Sequence, residues 1–277
     1  MLGIVTDSSA QVPRWVRDRP DVEVVAVHVR VGGTEFLDGV DLDRHWFHEQ
    51  LADGVDVGTS LPSPGAFASA YRDLERRGAT SILSIHVGSA MSGTVNAARL
   101  GAELVEVPVE VIDTGLASFG IACCVLEAAR LREGGGSSSA IAEQIRQFAP
   151  QVRSAFLIQA TDFVRSAGRS PVELPSGHDG VAVFGGAGAA IELLGTASSV
   201  EDLAAAMVEE LVRGDDPLVV AVSEADPSTL PFAAAMTELL AQRDQVIEVI
   251  RYEVTPSVLV YSGLGTAGGY SYVCATP

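Results

Sequence analysis

Small hydroxyl residues gather at four places in the first half of the chain: Asp7-Ser8-Ser9, Thr59-Ser60, Ser92-Gly93-Thr94 and Asp113-Thr114. Three of these follow short apolar runs with strand character, 3–6, 81–87 and 109–112. In an open parallel sheet such turns fall together at the carboxyl edge, where ligands enter the crevice. Thr59-Ser60 precedes a helix that starts near Pro64 and can reach the same rim. Free N–H groups at helix N-termini, joined by Ser and Thr hydroxyls, receive a carboxylate or a phosphate. The same residue types also cap helices and form turns where no ligand binds. Spacing by itself leaves both readings open.

Three other constellations carry less. His45 and His48 lie one helical turn apart with Asp41, Asp43 and Glu49 nearby, but no third ligand stands at zinc-like spacing. Gly263, Gly265 and Gly268 match Gly-x-Gly-x-x-Gly in form, yet only nine residues follow and read as a strand, so no dinucleotide-binding helix can follow. Ser92, His86 and Asp113 supply the residue types of a nucleophilic triad, which would make the chain a hydrolase of small acyl esters. Ser92 lacks the Gly-x-Ser-x-Gly elbow, having Ala90 two residues before it and Thr94 two after. His86 lies inside an apolar run and reads as a core histidine, although it is the one base the sequence offers to Ser92.

The elements needed to position these residues are legible. Continuous apolar runs at 3–6, 22–31, 81–87 and 109–112 alternate with helical patterns at 65–77, 94–105 and 118–131, and a short helix falls at 44–51. Unalternated strands interleaved with helices predict a parallel sheet covered on both faces. Ser63 and Pro64 supply an N-cap and a first helical residue. The low-complexity stretch 132–139 reads as an interdomain linker or a helix–helix loop. Beyond it, strands at 155–158, 181–184, 218–222 and 246–252 and helices at 200–212 and 230–242 give an α+β pattern with a mixed sheet. Gly185 to Gly188 reads as a turn, and 257–261 with 270–274 as a closing strand pair. The predicted class is therefore α/β: an N-terminal parallel-sheet domain over residues 1–152 and a C-terminal α+β domain over 153–277.

Composition removes several function classes. The chain has 277 residues, 47% of them apolar, which suffices for buried cores. Thirty-six acidic residues against 18 basic ones leave a net charge of −18, so phosphate backbones and anionic bilayers meet a repelling surface. Every basic residue is Arg, and the absence of Lys excludes a Schiff base and the P-loop lysine. The three cysteines form no Cys-x-x-Cys pair, as expected in a reduced cytoplasm. The N-terminus has no basic region ahead of an apolar core, so no signal peptide is expected. The longest near-apolar run, 116–126, is too short to span a membrane and reads as a buried helix.

Several motifs in one order resemble the DegV family of bacterial fatty-acid-binding proteins. Ile4-Val5-Thr6-Asp7-Ser8-Ser9 resembles the family's opening, and Asp38-Gly39 its Asp-Gly pair. Thr59-Ser60-Leu61-Pro62-Ser63 is similar to its Thr-Ser-x-Pro-Ser segment, and Ser89-Ala90-Met91-Ser92-Gly93-Thr94 to its Ser-x-x-Ser-Gly-Thr loop. Val111-Ile112-Asp113-Thr114, Ser118-x-Gly120 and Ala167-Gly168-Arg169 follow in register. The matches are dense over residues 3 to 125 and sparse but collinear beyond.

The resemblance implies two α/β domains with a fatty-acid tunnel between them. It implies a bacterial cytoplasmic lipid carrier with no catalytic residue, metal or cofactor of its own and no stable membrane insertion. Such a carrier presents the carboxylate of a long-chain fatty acid to a separate ATP-binding fatty acid kinase subunit, in the service of phospholipid metabolism. By position, Thr59, Ser92 and N–H groups near Gly93 would hold the carboxylate. Two departures stand toward the other end of the chain. The family's His-x-Gly-Pro-Gly is Tyr261-Ser262-Gly263-Leu264-Gly265 here, and its Arg-Thr is Gly195-Thr196. Tyr261 can donate a hydrogen bond but carries no positive charge. Arg169 is left as the head-group or partner contact. These losses keep acyl binding and put coupling to the kinase in question. A DegV-like binder of another small anion is the divergent alternative.

Overall fold

The computed structural model describes residues 1–158 and 180–274. The chain gathers into two compact units: Met1–Asp43 with Asp56–Pro150, and Arg44–Val55 with the chain from Gln151 onward.

Strands β1 (Leu2–Asp7) and β2 (Val22–Val25) belong to the first unit, followed by β3 (His28–Val31), β4 (Thr34–Leu37) and β5 (Val57–Ser60). β6 (Ser81–His86) and β7 (Val109–Asp113) complete its strands among the described residues. The main sheet runs β2-β1-β6-β7 with every pair parallel, while β4-β3-β5 form a separate antiparallel sheet. α1 (Arg14–Arg17) lies between β1 and β2, and α2 (Arg44–Ala52) clusters with the second unit. α3 (Pro64–Arg76) opens as predicted: Ser63 Oγ accepts the Ala66 N–H at 3.2 Å and Pro64 takes the first turn. Phe67, Ala70, Tyr71 and Leu74 make its buried stripe, at the i, i+3, i+4, i+7 spacing of an amphipathic helix. Burying each large side chain of that stripe is worth about 1.5–3 kcal/mol.

α3 packs with α4 (Thr94–Ala102) on one side of the parallel sheet, against Val5, Val25 and Ile82. α5 (Phe119–Glu133) and α6 (Ser138–Phe148) pack together and also lie against the sheet. Residues Phe119 to Ala129 are buried without a break, so the apolar run of the sequence is an interior helix. Among the described residues no helix is long and apolar enough to cross a membrane. The Gly/Ser-rich stretch 134–137 joins α5 to α6 within one unit, and Ser137 Oγ caps α6 by accepting the Ala140 N–H.

The second unit carries β8 (Arg153–Leu157), β9 (Val181–Ala187), β10 (Glu192–Ala197), β11 (Leu218–Glu224), β12 (Val246–Glu253) and β13 (Ala267–Val273). Its sheet runs β10-β9-β8-β13-β11-β12 and is mixed: β11 and β12 are parallel and the remaining pairs antiparallel. α7 (Val200–Leu211) and α8 (Leu230–Leu240) cover it through Leu203, Met207, Leu211, Phe232 and Met236.

Three predicted elements differ in the structure. The run 22–31 is two strands, because the chain leaves the parallel sheet after Val25 and the Val27 N–H turns to Ser8 Oγ at 3.0 Å. Gly185 and Gly186 lie within β9 rather than in a turn; a Cβ on Gly185 would sit 2.7 Å from the Ser154 carbonyl oxygen of β8. Residues 257–261 are not a strand: α9 (Pro256–Ser262) forms there, with extended Thr255 before it and Pro256 in the first turn. A short run rich in Val and Leu carries no period that separates strand from helix, and Pro256 decides it. β13 pairs instead with β8 and β11.

Candidate functional site

The ends of β1, β6 and β7 stand side by side at the carboxyl edge of the parallel sheet, and side chains there knit the loops together. Alternation puts Val5 and Asp7 of β1, and Ile82, Ser84 and His86 of β6, on the α3 face. The His86 ring meets Phe67 edge-on at 5.0 Å between centroids. Its Nδ1 is 2.8 Å from Asp7 Oδ2, and its Nε2 is 2.6 Å from Ser84 Oγ. Ser84 Oγ in turn meets the Tyr71 hydroxyl at 2.8 Å, and that hydroxyl reaches the Ala98 carbonyl at 3.2 Å. Burial pushes the Tyr71 phenol up to about 12, against the opposing pull of the Ser84 hydrogen bond, so it stays protonated as a donor.

Asp7, Ser84 and His86 thus have the connectivity of a hydrolytic triad, but all three are fully buried. No substrate reaches Ser84, and its hydroxyl is shared with Tyr71. This chain of hydrogen bonds is a structural tie running from β1 through β6 to α3 and α4. It also answers the esterase reading of Ser92: both ring nitrogens of His86 are engaged by Asp7 and Ser84, and Asp113 serves backbone N–H groups instead.

Of the four hydroxyl clusters, two are spent internally. Asp7 Oδ1 accepts the Ser9 N–H and hydroxyl, closing the 3-10 turn Ser8–Ala10, and Ser8 Oγ accepts from Val27. Thr114 Oγ1 donates to the His86 carbonyl at 2.8 Å and accepts the Leu116 N–H at 3.1 Å. Asp113 Oδ1 accepts the N–H groups of Ser89 and Gly115, each at 3.1 Å. Burial pulls the Asp113 carboxyl upward, but hydrogen bonds from the Ser89 side chain and from the Gly115 and Ser89 backbone, with the Arg99 charge, outweigh it. It therefore titrates below its ordinary range.

The cluster at Ser92 is different. α4 begins with Gly93 as its N-cap, and no side chain on that residue can accept from the first turn. Ser92 Oγ accepts the Thr94 N–H at 3.3 Å and lies 2.8 Å from Thr94 Oγ1. When Thr94 is the donor of that pair, the Ser92 hydrogen points to an outside acceptor. Thr94 is buried, Ser92 half-buried and Gly93 exposed, so this rim is open to a ligand. Leu61 approaches the same rim: a Cβ on Gly93 would lie 3.3 Å from Leu61 Cδ2. Thr59, two residues before it, pairs with Val29 in the antiparallel sheet. The structure therefore puts the Thr59 segment beside the α4 N-terminus. A helix N-terminus with an adjacent hydroxyl suits an anionic oxygen acceptor. Spacing did not single out Ser84 and Tyr71, which complete the buried tie; only tertiary contact joins them.

Tyr261 belongs to the second unit, half-buried on α9. The loop after it is held by Asp226, whose Oδ2 accepts the Gly265 N–H at 2.6 Å and whose Oδ1 accepts from Ser228. Gly263 and Gly265 adopt φ of 72° and 76°, and a Cβ on Gly268 would fall 2.2 Å from the Ala155 carbonyl oxygen. The three glycines of the Gly-x-Gly-x-x-Gly match thus serve a helix end, a turn and a close strand contact. Gly195 lies on β10 with open space where a side chain would begin. Arg169 falls outside the described residues. Burial pushes both the Cys123 and Cys124 thiols up inside α5, which leaves them unreactive. Among the described residues no three His, Cys, Asp or Glu side chains gather as a metal site.

Comparison with known proteins bears on this geometry. The family model described as "Uncharacterised protein, DegV family" matches residues 1–171. A DegV domain-containing protein of Streptomyces coelicolor is 32% identical over 168 residues, 61% of this chain and 60% of that protein. The alignment thus spans less than two thirds of this curated relative. A Thermus thermophilus DegV family protein, solved in a study of its fatty-acid binding, superposes with a TM-score of 0.86 at 26% identity, over 99% of both chains. A DegV lipid-binding protein of Thermotoga maritima has the same fold, with a TM-score of 0.88 at 20% identity over 100% of this chain and 99% of that one.

Proposed function

From the premise that the chain belongs to the DegV family, we propose that it binds a long-chain fatty acid and holds the acyl carboxylate at the α4 N-terminus. The observation that carries this reading is the glycine-capped start of α4 with Ser92 and Thr94 beside it. Ser92 and Thr59 donate their hydroxyls to the carboxylate and N–H groups near Gly93 complete its shell. The fatty-acid binding of the Thermus relative supplies the ligand class. Affinity then combines burial of the alkyl chain, about 0.8 kcal/mol per CH₂, with a few directed polar contacts at one end.

The finer reading is that the chain acts as the non-catalytic carrier of a fatty acid kinase, presenting the carboxylate to an ATP-binding partner in the bacterial cytoplasm. In this reading Tyr261 donates a neutral hydrogen bond to the head group and Arg169 contacts the head group or the partner.

Native mass spectrometry of the purified protein, followed by lipid identification after denaturation, tests the ligand. A stoichiometric fatty acid is expected. A protein that is empty and also ignores added fatty acids overturns the proposal and turns attention to other small anions at the same rim. Phosphorylation of the bound acid by a kinase subunit tests the carrier role separately.

A further inference from the structure

We infer that Asp113 is the positioning residue of the carboxylate site: a single oxygen of its side chain fixes the turn that aims Ser92 and Gly93. The inference rests on the reading that these residues receive a carboxylate. The chain of contacts is short. Asp113 Oδ1 accepts the Ser89 N–H at 3.1 Å, which fixes the peptide between Gly88 and Ser89. The Gly88 carbonyl of that peptide accepts the N–H groups of Met91 at 2.9 Å and of Ser92 at 3.2 Å. The same Oδ1 accepts the Gly115 N–H at 3.1 Å, and the Gly88 N–H donates to the Leu116 carbonyl at 2.8 Å. The two turns are in backbone contact: a Cβ on Gly88 would lie 2.9 Å from Gly115 Cα. Between Gly88 and Ser92 stand Ser89, Ala90 and Met91: the Ser89 hydroxyl also bonds to Asp113, and the other two side chains offer no polar brace of their own.

Charge argues for geometry as the purpose. A carboxylate near an anion site repels the ligand, so Asp113 contributes there through the lone pairs of Oδ1 rather than through its negative charge. Both backbone hydrogen bonds end on one oxygen, and an asparagine can offer that oxygen in the same place; the Ser89 hydroxyl is a further donor to the carboxylate. Asp113→Asn should preserve the site, whereas Asp113→Ala releases the turn.

The test uses the full chain with oleic acid and methyl oleate as probes, together with amide hydrogen exchange of the ligand-free protein. Asp113→Ala is expected to weaken oleate about tenfold while shifting methyl oleate by less than about twofold, with Asp113→Asn close to wild type for both. Exchange over residues 89–93 should quicken in Asp113→Ala and not in Asp113→Asn. Unchanged oleate affinity in Asp113→Ala, or an equal loss in Asp113→Asn, overturns the inference. If the wild type binds neither probe, the fatty-acid reading fails. The brace is then judged on exchange alone: quickening confined to 89–93 supports it, and none removes it.

Discussion

Asp113 in the first unit and Asp226 in the second each collect hydrogen bonds from two stretches of chain, but they leave different things behind. Asp226 uses both oxygens, one on Ser228 and one on Gly265, and forms a capping box with Thr229, whose hydroxyl accepts the Asp226 N–H at 3.3 Å. Its turn closes on itself. Asp113 uses one oxygen for two N–H groups, and the loop it braces runs into a helix whose cap is a glycine. Ser92 Oγ takes the Thr94 N–H at that helix start, and Gly93 itself offers no side-chain cap. A helix start satisfied by its own side chains is architecture, whereas one whose cap residue has no side chain leaves room for the carboxylate proposed above.

The largest expected break in this comparison comes from the buried tie of the first unit. His86→Ala leaves the fully buried Asp7 carboxyl without its ring partner, at a cost of about 3 kcal/mol or more. The loss should fall on the first unit. Trp15 lies in that unit and Trp46 in the other, so single-tryptophan variants can follow urea unfolding unit by unit. The Trp15 transition should move to lower urea by more than the Trp46 transition. Equal shifts of both would deny the tie its local role.

Next in size are the side chains proposed to hold the carboxylate. Ser92→Ala removes a donor to a charged acceptor and should cost about 1.5–3 kcal/mol, roughly 10- to 100-fold in fatty-acid affinity. Thr59→Ala should act in the same direction, and neither change should affect the methyl ester as strongly. Titration calorimetry with the acid and its ester distinguishes the two. Unaltered affinity for the acid in both variants would remove these residues from the site.

Acid provides a third way to compare the two loops. Asp113 and Asp226 both titrate below their ordinary range. For Asp226 burial again pulls upward and is outweighed by the Gly265 N–H, the Ser228 side chain and backbone, and the charge of His48. A carboxyl whose folded pKa is depressed contributes stability above its unfolded pKa and loses it as pH falls through the folded value. The wild type should therefore melt higher than Asp113→Asn or Asp226→Asn at neutral pH, and the gap should shrink below about pH 4. A gap that stays constant into the acid range would mean that the charge contributes nothing and that acceptor geometry is the whole effect.

How much of this was written in the sequence depends on the range of the contact. The start of α3 was legible because Ser63 and Pro64 act on neighbours within one turn. The interior helix α5 was legible from a near-apolar run. The strand reading of 257–261 failed because a five-residue run with four apolar residues in a row has no period, and the one decisive residue, Pro256, lies just outside it. Thr59 and Ser92 are proposed from a motif, whereas the brace inferred for Asp113 has no motif to announce it. Residues 113 and 89 are 24 apart, and only the parallel pairing of β6 with β7 brings them together. His86 was read correctly as a core residue, but its partners, Asp7 79 positions away and Tyr71 through Ser84, are set by the sheet and the α3 face.

The smallest expected effect concerns the second unit. Tyr261 stands where the resemblance puts the family's histidine, and the residue is half-buried on α9 beside the loop held by Asp226. If Tyr261 contributes to the head group, Tyr261→His should make fatty-acid affinity depend on pH in a range where the wild type is flat. A histidine gains its proton below about pH 6.5, and a partly exposed charge pair is worth about 0.2–1 kcal/mol, so binding should tighten up to about fivefold between pH 8 and pH 6. The dependence should weaken in high salt, since a partly exposed pair is screened. A flat profile would separate Tyr261 from the carboxylate and leave recognition to the α4 rim of the first unit. A rise with acid would support the proposed contact of Tyr261 with the head group, made by a single neutral donor in place of a charge.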